Sequence, residues 1–356
     1  MTHSIRSSPS AATRRTAVLG WDIGGVNTKA ARVEIENGRL SLLRSVLAPL
    51  EMQRESAALV PTLRRLATLL GGGPVTHAVT MTAELSQAFR TKREGVGFVL
   101  DALVEAFPGE PVEIYGAEGR FLDPAGARQR PLEVASANWA ATARFVGRQV
   151  SDCLMVDIGT TSSDIIPIEA GNPCARGRTD PERLLSGELV YTGALRTPVE
   201  AVAHEVPLWG GRCPLAAERF ALIGDVYLWL GALDARDYTV TAPDGRPPTR
   251  EFAGERLARA VCADAEMLDE EAVGTIARAL AEAQVSTITD AIRRVRARHP
   301  GLGTAVVAGL GDFVAGEAAN RAGLEVARLS DRIGSAARTA PAAAVAWLLA
   351  EAATGG

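Results

Sequence analysis

The sequence predicts a duplicated α/β fold, two lobes with a ligand cleft between them, and three observations carry the prediction. An apolar strand that ends in Asp-Ile-Gly and turns straight back into a second strand occurs twice, over residues 17–35 and again over 153–168. A third glycine turn, Gly309-Leu310-Gly311-Asp312, stands between an apolar strand and an Ala-rich helix near the end of the chain. The length, 356 residues, exceeds what one hydrophobic core usually serves. Residues 1–15, polar and basic with Ser-Ser-Pro-Ser at 7–10, are expected to be a disordered tail, 16–150 the first lobe and 151–356 the second.

The elements follow from the pattern in order. Residues 17–23 are a continuous apolar run, suited to a buried strand. Gly24-Gly25 turns it into an alternating strand over 28–35, and Glu36-Asn37-Gly38 turns that into a third over 42–47. Leu59, Leu63, Leu66 and Leu70 share one face of a helix over 55–70, which Gly71-Gly72-Gly73 ends. A strand at 76–82, a helix near 95–106, a strand at 111–115 and a helix over 132–148 complete the first half. The second opens with strands at 153–158 and 163–168 around Gly159-Thr160-Thr161. Residues 170–216, rich in Gly, Pro and Arg, predict an ordered functional loop region. Helices near 216–231, 250–265 and 270–298, a strand at 304–308, a short helix, a strand at 324–329 and a helix over 338–353 close the chain.

Composition excludes several function classes. Hydrophobic residues make up 47% and charged residues 22%, and the net charge of −4 shows no footprint for nucleic acid. No apolar run looks long enough to span a bilayer, so a cytoplasmic protein is expected. Of the four cysteines, Cys153 and Cys262 fall in apolar segments and read as core thiols. Cys174 and Cys213 flank His204, a set that leaves a zinc site conceivable although close ligand pairs are missing. Nothing fixes the oligomeric state, and a homodimer is compatible with the sequence.

The glycine turns carry the chemistry. In Trp21-Asp22-Ile23-Gly24-Gly25-Val26-Asn27-Thr28-Lys29, Gly24 and Gly25 let backbone N–H groups approach an anion. Asn27, Thr28 and Lys29 add donors, and Asp22 can hold a Mg²⁺ that bridges phosphate oxygens. Val156-Asp157-Ile158-Gly159-Thr160-Thr161-Ser162-Ser163-Asp164 repeats the design and adds four hydroxyls. Gly159, Thr160, Thr161, Ser162 and Asp164 are therefore expected at phosphate, with Asp157 beside Asp22 on the metal. Gly309 and Gly311 make room for a flat ligand, and Asp312 opens a helix whose N-terminus favours an anion.

These three turns, in this order, resemble the actin-like (ribonuclease H-like) superfamily that includes actin, Hsp70 chaperones, and acetate and sugar kinases. Within it the chain is similar to the hydantoinase/oxoprolinase A-type family. More narrowly it resembles the proteins linked to tetrahydromethanopterin-dependent one-carbon transfer, a group that includes a methanofuran-pathway synthase. Beyond the turns, the resemblance rests on Thr80–Val96, Ala135–Ala140, Gly177–Pro198 and Gly224–Gly231, and it covers nearly the whole chain after the tail.

The resemblance implies a transferase that moves an aminomethylfuran-methyl group from its diphosphate to the phenol of a γ-glutamyl-tyramine or tyrosine acceptor. Diphosphate leaves and an ether forms. The partners it implies are thus a small-molecule diphosphate and a phenolic acceptor, with no nucleic acid and no membrane, and Mg²⁺ as the cofactor. Because a phenol has an ordinary pKa near ~10, a base is needed, and Glu84 and Glu188 in the two most specific blocks are the candidates. Lys92, Arg176, Arg178 and Arg196 are candidates to grip diphosphate or carboxylate, with Tyr191 and Trp139 as aromatic contacts for the substrate. The alternative is an ATP-dependent kinase or a hydantoinase/oxoprolinase-type enzyme with Mg-ATP in the same cleft.

Overall fold

A computed structural model describes residues 15–354 apart from Gly38 and Pro74, so most of the expected tail lies outside the described residues. The first half is built from β1 (Arg15–Ile23), β2 (Asn27–Glu36), β3 (Arg39–Pro49), α1 (Met52–Glu55), α2 (Leu59–Leu69), β4 (Thr76–Met81) and α3 (Lys92–Ala106). It continues through β5 (Val112–Tyr115), β6 (Phe121–Leu122), α4 (Pro124–Gln129), α5 (Pro131–Val134) and α6 (Asn138–Gln149). The second half begins with β7 (Cys153–Ile158), β8 (Ser163–Glu169), β9 (Asn172–Pro173), α7 (Asp180–Ser186), β10 (Leu189–Val190), β11 (Glu205–Leu208) and β12 (Gly211–Pro214). It ends with α8 (Ile223–Trp229), α9 (Arg250–Arg259), α10 (Glu270–Arg296), β13 (Thr304–Ala308), α11 (Asp312–Arg321), β14 (Glu325–Arg328), α12 (Ser330–Ile333) and α13 (Ala340–Thr354).

Two sheets repeat one plan. The first runs β3-β2-β1-β4-β5-β6 and the second β10-β8-β7-β13-β14, with β9 on the edge of β8. In each, a central strand (β1 or β7) has its antiparallel hairpin partner on one side and a parallel strand (β4 or β13) on the other. The parallel neighbours reflect crossovers, and the hairpins reflect the glycine turns. This is the duplicated actin-like fold.

Strand periodicity aims the key carboxylates. Leu19, Trp21 and Ile23 point to one face of β1, where they pack with α2 and α3. Asp22 therefore points the opposite way, with Val18, toward a core shared by both sheets, α6 and α13. In β7, Leu154, Val156 and Ile158 pack against the helices α8 to α11, while Cys153, Met155 and hence Asp157 face that shared side. Both motif aspartates are thus turned toward the space between the sheets by a period of two.

Three departures from the sequence expectations have local causes. The helix expected over 132–148 is broken at Ala135–Ala137, where Ser136 adopts a left-handed φ of 52°. The helix expected near 216–231 begins only at Ile223, where Asp225 accepts the N–H of Leu222 at 2.8 Å. The third departure is the segment Ser330–Thr354, which by length and composition is apolar enough to cross a membrane, contrary to the reading above. It is mostly buried, and its helix α13 lies against β1, β2 and β4. Alanines allow that close approach: a Cβ on Gly20 would fall 2.0 Å from the carbonyl oxygen of Ala342. The final helix thus crosses back to cover the first sheet.

Candidate functional site

A cleft of about 890 Å³ opens where the two hairpin turns face each other. Asp22, Gly24, Gly25, Asn27 and Lys29 line it from the first hairpin, and Asp157, Gly159, Thr160, Thr161, Ser162 and Asp164 from the second. Gly309, Tyr191 and Arg196 also line it. The turns touch across the gap, where Asn27 Nδ2 donates to Thr160 Oγ1 at 3.3 Å.

The hairpins differ at equivalent positions. Asp22 is paired in register with Lys29, whose Nζ bonds its Oδ2 at 2.9 Å. Burial alone would lower the Lys29 ammonium, but attraction from Asp22, Asp157 and Asp164 outweighs it and holds the pKa above the usual lysine value. In the second hairpin the partner of Asp157 is another carboxylate, Asp164. Burial, reinforced by the charge of Asp164, pushes Asp157 up to about 7. Asp164 is also raised by burial, against the pull of its buried partner Arg183.

Gly309 is needed for this arrangement. Its φ is 85°, and a Cβ there would fall 2.3 Å from both Asp157 Oδ1 and the Ile158 carbonyl oxygen. Gly25 and Gly159 are different. Neither has a positive φ, a Cβ on Gly25 would meet nothing within 4 Å, and one on Gly159 would make only an ordinary 3.6 Å contact. The protein itself does not demand glycine at either place, but only Gly25 leaves its N–H without a backbone acceptor among the described residues, since Gly159 donates to the Ser162 carbonyl and accepts from Ala194, each at 2.9 Å.

Behind one wall lies a polar network. Ser136 Oγ is 2.7 Å from Glu84 Oε1 and 2.8 Å from Asp180 Oδ2, and Lys92 Nζ reaches Asp180 at 2.6 Å and Ser136 at 3.2 Å. Arg183 bonds Asp180 at 2.9 Å and lies over the Trp139 ring, 4.8 Å from its centroid. Burial pushes Glu84 up to about 7, against Ser136 and Lys92, which favour its charged form. Ser136, Asp180 and Arg183 line the cleft, whereas Glu84 and Lys92 stand behind them. The left-handed Ser136 at the helix break is what connects buried Glu84 to the cleft.

Several sequence candidates lie elsewhere. Glu188 is fully buried, with its carboxylate taken by the N–H groups of Arg176 and Gly177 at 2.9 and 3.0 Å and by Arg298 at 3.2 Å. It holds the 176–188 loop and is not placed to act as a base. Arg178 pairs with Glu118 on the surface, and Arg176 is exposed away from the cleft. Trp139 supports Arg183 rather than forming a shelf. Thr28 is wholly buried, Gly311 packs on Ile158, and Asp312 pairs with Arg328. Among the described residues no group of three His, Cys, Asp or Glu could hold a metal, so Cys174, His204 and Cys213 do not assemble.

Sequence reasoning missed Ser136, Asp180 and Arg183, and also how the second turn is held. A Cβ on Gly193 would fall 2.6 Å from the Thr161 backbone, and the N–H groups of Ala194, Leu195 and Arg196 bond the Gly159 and Thr160 carbonyls at 2.9–3.1 Å. Gln284 on α10 anchors that strap, donating to Thr192 Oγ1 at 2.7 Å and to the Gly193 carbonyl at 2.9 Å. The only sequence signal for the strap was its place inside the block Gly177–Pro198.

The hairpin end carries several carboxylates, but among the described residues no three of them stand together as a metal group. Of the four carboxylates that line it, Asp22 is paired with Lys29, Asp164 with Arg183, and Asp180 with Lys92 and Arg183, which leaves Asp157 without an ion pair among the described residues. Asp22 Oδ1 and Asn27 Oδ1 are buried without hydrogen-bond partners. Carboxylate and amide oxygens are the ligand type that Mg²⁺ takes.

The pattern of the hydantoinase/oxoprolinase family matches residues 75–352. A protein from Methanocaldococcus jannaschii, (4-{4-[2-(gamma-L-glutamylamino)ethyl]phenoxymethyl}furan-2-yl)methanamine synthase, is 34% identical over 298 residues, covering 83% of this chain and 87% of that one. A synthase of the same name from Methanococcus vannielii is 31% identical over 173 residues, covering 48% of this chain and 77% of its own. Among solved structures, nucleotide-free acetone carboxylase superposes with a TM-score of 0.54 at 12% identity, over 95% of this chain and 70% of that one.

Proposed function

The chain belongs to the hydantoinase/oxoprolinase family, and we propose that within it the chain is a transferase of methanofuran- or methylofuran-type cofactor biosynthesis. It joins an aminomethylfuran-methyl diphosphate to the phenol of a γ-glutamyl-tyramine or tyrosine acceptor, and the product serves tetrahydromethanopterin-linked one-carbon metabolism. The name of the two relatives supports this reading, since a phenoxymethylfuran is what results when a phenol oxygen displaces a leaving group from a furanylmethyl carbon. The observation that carries it is the pair of glycine turns facing each other across one cleft with Asp22 and Asp157 between them.

The bond between the furanyl CH₂ and the diphosphate oxygen breaks, and its electron pair leaves with diphosphate. The phenol oxygen forms the new C–O bond and loses its proton. The furan oxygen stabilises positive charge at the CH₂, so the protein's main task is to stabilise the departing anion. The backbone N–H of Gly25 and the hydroxyls of Thr160, Thr161 and Ser162 are available to it, whereas the Gly159 N–H is taken by the Ser162 carbonyl at 2.9 Å. Mg²⁺, held by Asp22 and Asp157 with Asn27 nearby, would neutralise charge on the diphosphate. Ser136 takes the phenol proton as it passes its own to Glu84, whose pKa of about 7 suits a proton acceptor at neutral pH.

Calorimetric titration tests the ligand assignment. Wild type is expected to bind Mg²⁺–diphosphate and to respond weakly to Mg²⁺–ATP, and Asp157→Ala is expected to weaken diphosphate binding at least tenfold. Tight ATP binding followed by ADP release would replace this reading with an ATP-dependent kinase or oxoprolinase-type enzyme.

A further inference from the structure

The cleft holds positive charge that the hairpins do not use. Lys29 and Arg183 are committed to carboxylates. Arg196 and Arg219 also line the cleft, yet their guanidiniums have no ion pair or hydrogen bond among the described residues. Their backbones are nevertheless fixed. The Arg196 N–H donates to the Thr160 carbonyl at 3.0 Å. Arg219 is held in a left-handed conformation, φ 53°, with its N–H on Glu200 Oε1 at 2.8 Å. Non-glycine residues in the left-handed region persist where the surroundings impose them, often at ligand sites.

The two guanidiniums feel one another. Burial, and then repulsion from Arg219, hold Arg196 below the usual arginine value, while Tyr191 and Glu51 act in the other direction. Two like charges facing an open cleft form an unfavourable pair until an anion joins them, and a guanidinium fork matches a carboxylate in both shape and charge. Glu51 lines the same cleft, its Oε1 fixed by Thr241 Oγ1 at 3.0 Å and its Oε2 3.5 Å from the exposed guanidinium of Arg54. A pair of free guanidiniums near a fixed carboxylate has the charge pattern that complements an α-amino acid head.

We infer that Arg196 and Arg219 form a subsite for the α-carboxylate of the acceptor, with the acceptor's ammonium directed to Glu51. The inference rests on the ether-forming reading, and it makes this subsite the place where acceptors with a free amino-acid end are selected. A phenol lacking that end loses the anchor while keeping the reacting group.

The probes are γ-glutamyl-tyramine and tyramine, titrated into the full-length protein in the presence of Mg²⁺–diphosphate. Wild type is expected to bind the glutamyl compound at least tenfold more tightly than tyramine. Arg219→Ala removes that preference, Arg219→Lys restores part of it, and Mg²⁺–diphosphate affinity stays within twofold throughout. A preference that survives in Arg219→Ala overturns the subsite. So does a loss of diphosphate affinity in that variant, which would give the guanidiniums to the other substrate. Binding is read without turnover, so the two hypotheses fail separately. A wild-type preference with no ether product sinks the transferase and leaves the subsite standing. Equal binding of both probes with ether formed from either sinks the subsite and leaves the transferase.

Discussion

Asp22 and Asp157 occupy the same place in two copies of one hairpin, yet their cross-strand partners give them different electrostatics. Asp22 faces Lys29, and Asp157 faces Asp164. Burial and the neighbouring carboxylate lift Asp157 to about 7, so the folded protein binds that proton more tightly than the unfolded chain does. A raised carboxyl pKa destabilises the folded state as pH climbs from the ordinary aspartate range through about 7. Asp157→Asn removes the titrating group. In the ligand-free protein its stability relative to wild type should therefore improve by roughly 2–3 kcal/mol between pH 5 and pH 8. Denaturant melts at the two pH values measure this. A difference between variant and wild type that does not change with pH would mean that Asp157 is ionised in the folded protein throughout. In the proposed site a divalent cation at Asp157 would relieve that repulsion.

The hairpin elements separate what the fold needs from what a ligand needs. Gly193 must be glycine because the strap passes against the Thr161 backbone, and Gly309 because Asp157 occupies the space beside it. Gly25 has room for a methyl group and an ordinary φ. Gly25→Ala should thus keep its melting temperature within about 2 °C of wild type, whereas Gly193→Ala should lose several degrees, in line with a clash costing about 1–3 kcal/mol. Gly25→Ala should also lose at least tenfold in Mg²⁺–diphosphate affinity, because its methyl group stands where the anion approaches. Retention of full affinity would show that the anion does not reach that turn.

The same elements show what was legible in the sequence. The two strand–turn–strand repeats stand out because apolar runs end at Asp-Ile-Gly twice, and period-two alternation already implies that both aspartates face one way. The break at Ser136 was not legible. Ala135, Trp139, Ala143 and Val146 keep helical spacing across it, and only tertiary contact with Glu84 and Asp180 overrides that pattern. Glu188 was read as a base because it lies in a specific block, but the sequence could not reveal that loop N–H groups take both its oxygens. Arg183, seven residues beyond the nominated Arg176, reaches the cleft where Arg176 does not, because the helix α7, about two turns long, turns it inward against Trp139.

At the scale of the whole molecule, the fold brings residues far apart in sequence into one polar cleft. Asn27 meets Thr160, and Lys92 from the first half meets Asp180 from the second. Helix α13 crosses back onto the first sheet, so the chain's two ends share a core. A cleft bordered by both sheets can bind two substrates at once, a polyphosphate at the turns and an acceptor along the arginine-bearing wall. The measurement that tests this most directly is turnover of purified protein with Mg²⁺, the furanylmethyl diphosphate and γ-glutamyl-tyramine, followed by mass spectrometry of the ether and quantitation of diphosphate. One diphosphate released for each ether formed, with no requirement for ATP, is the predicted result. Absence of the ether unless ATP is supplied and hydrolysed would contradict it.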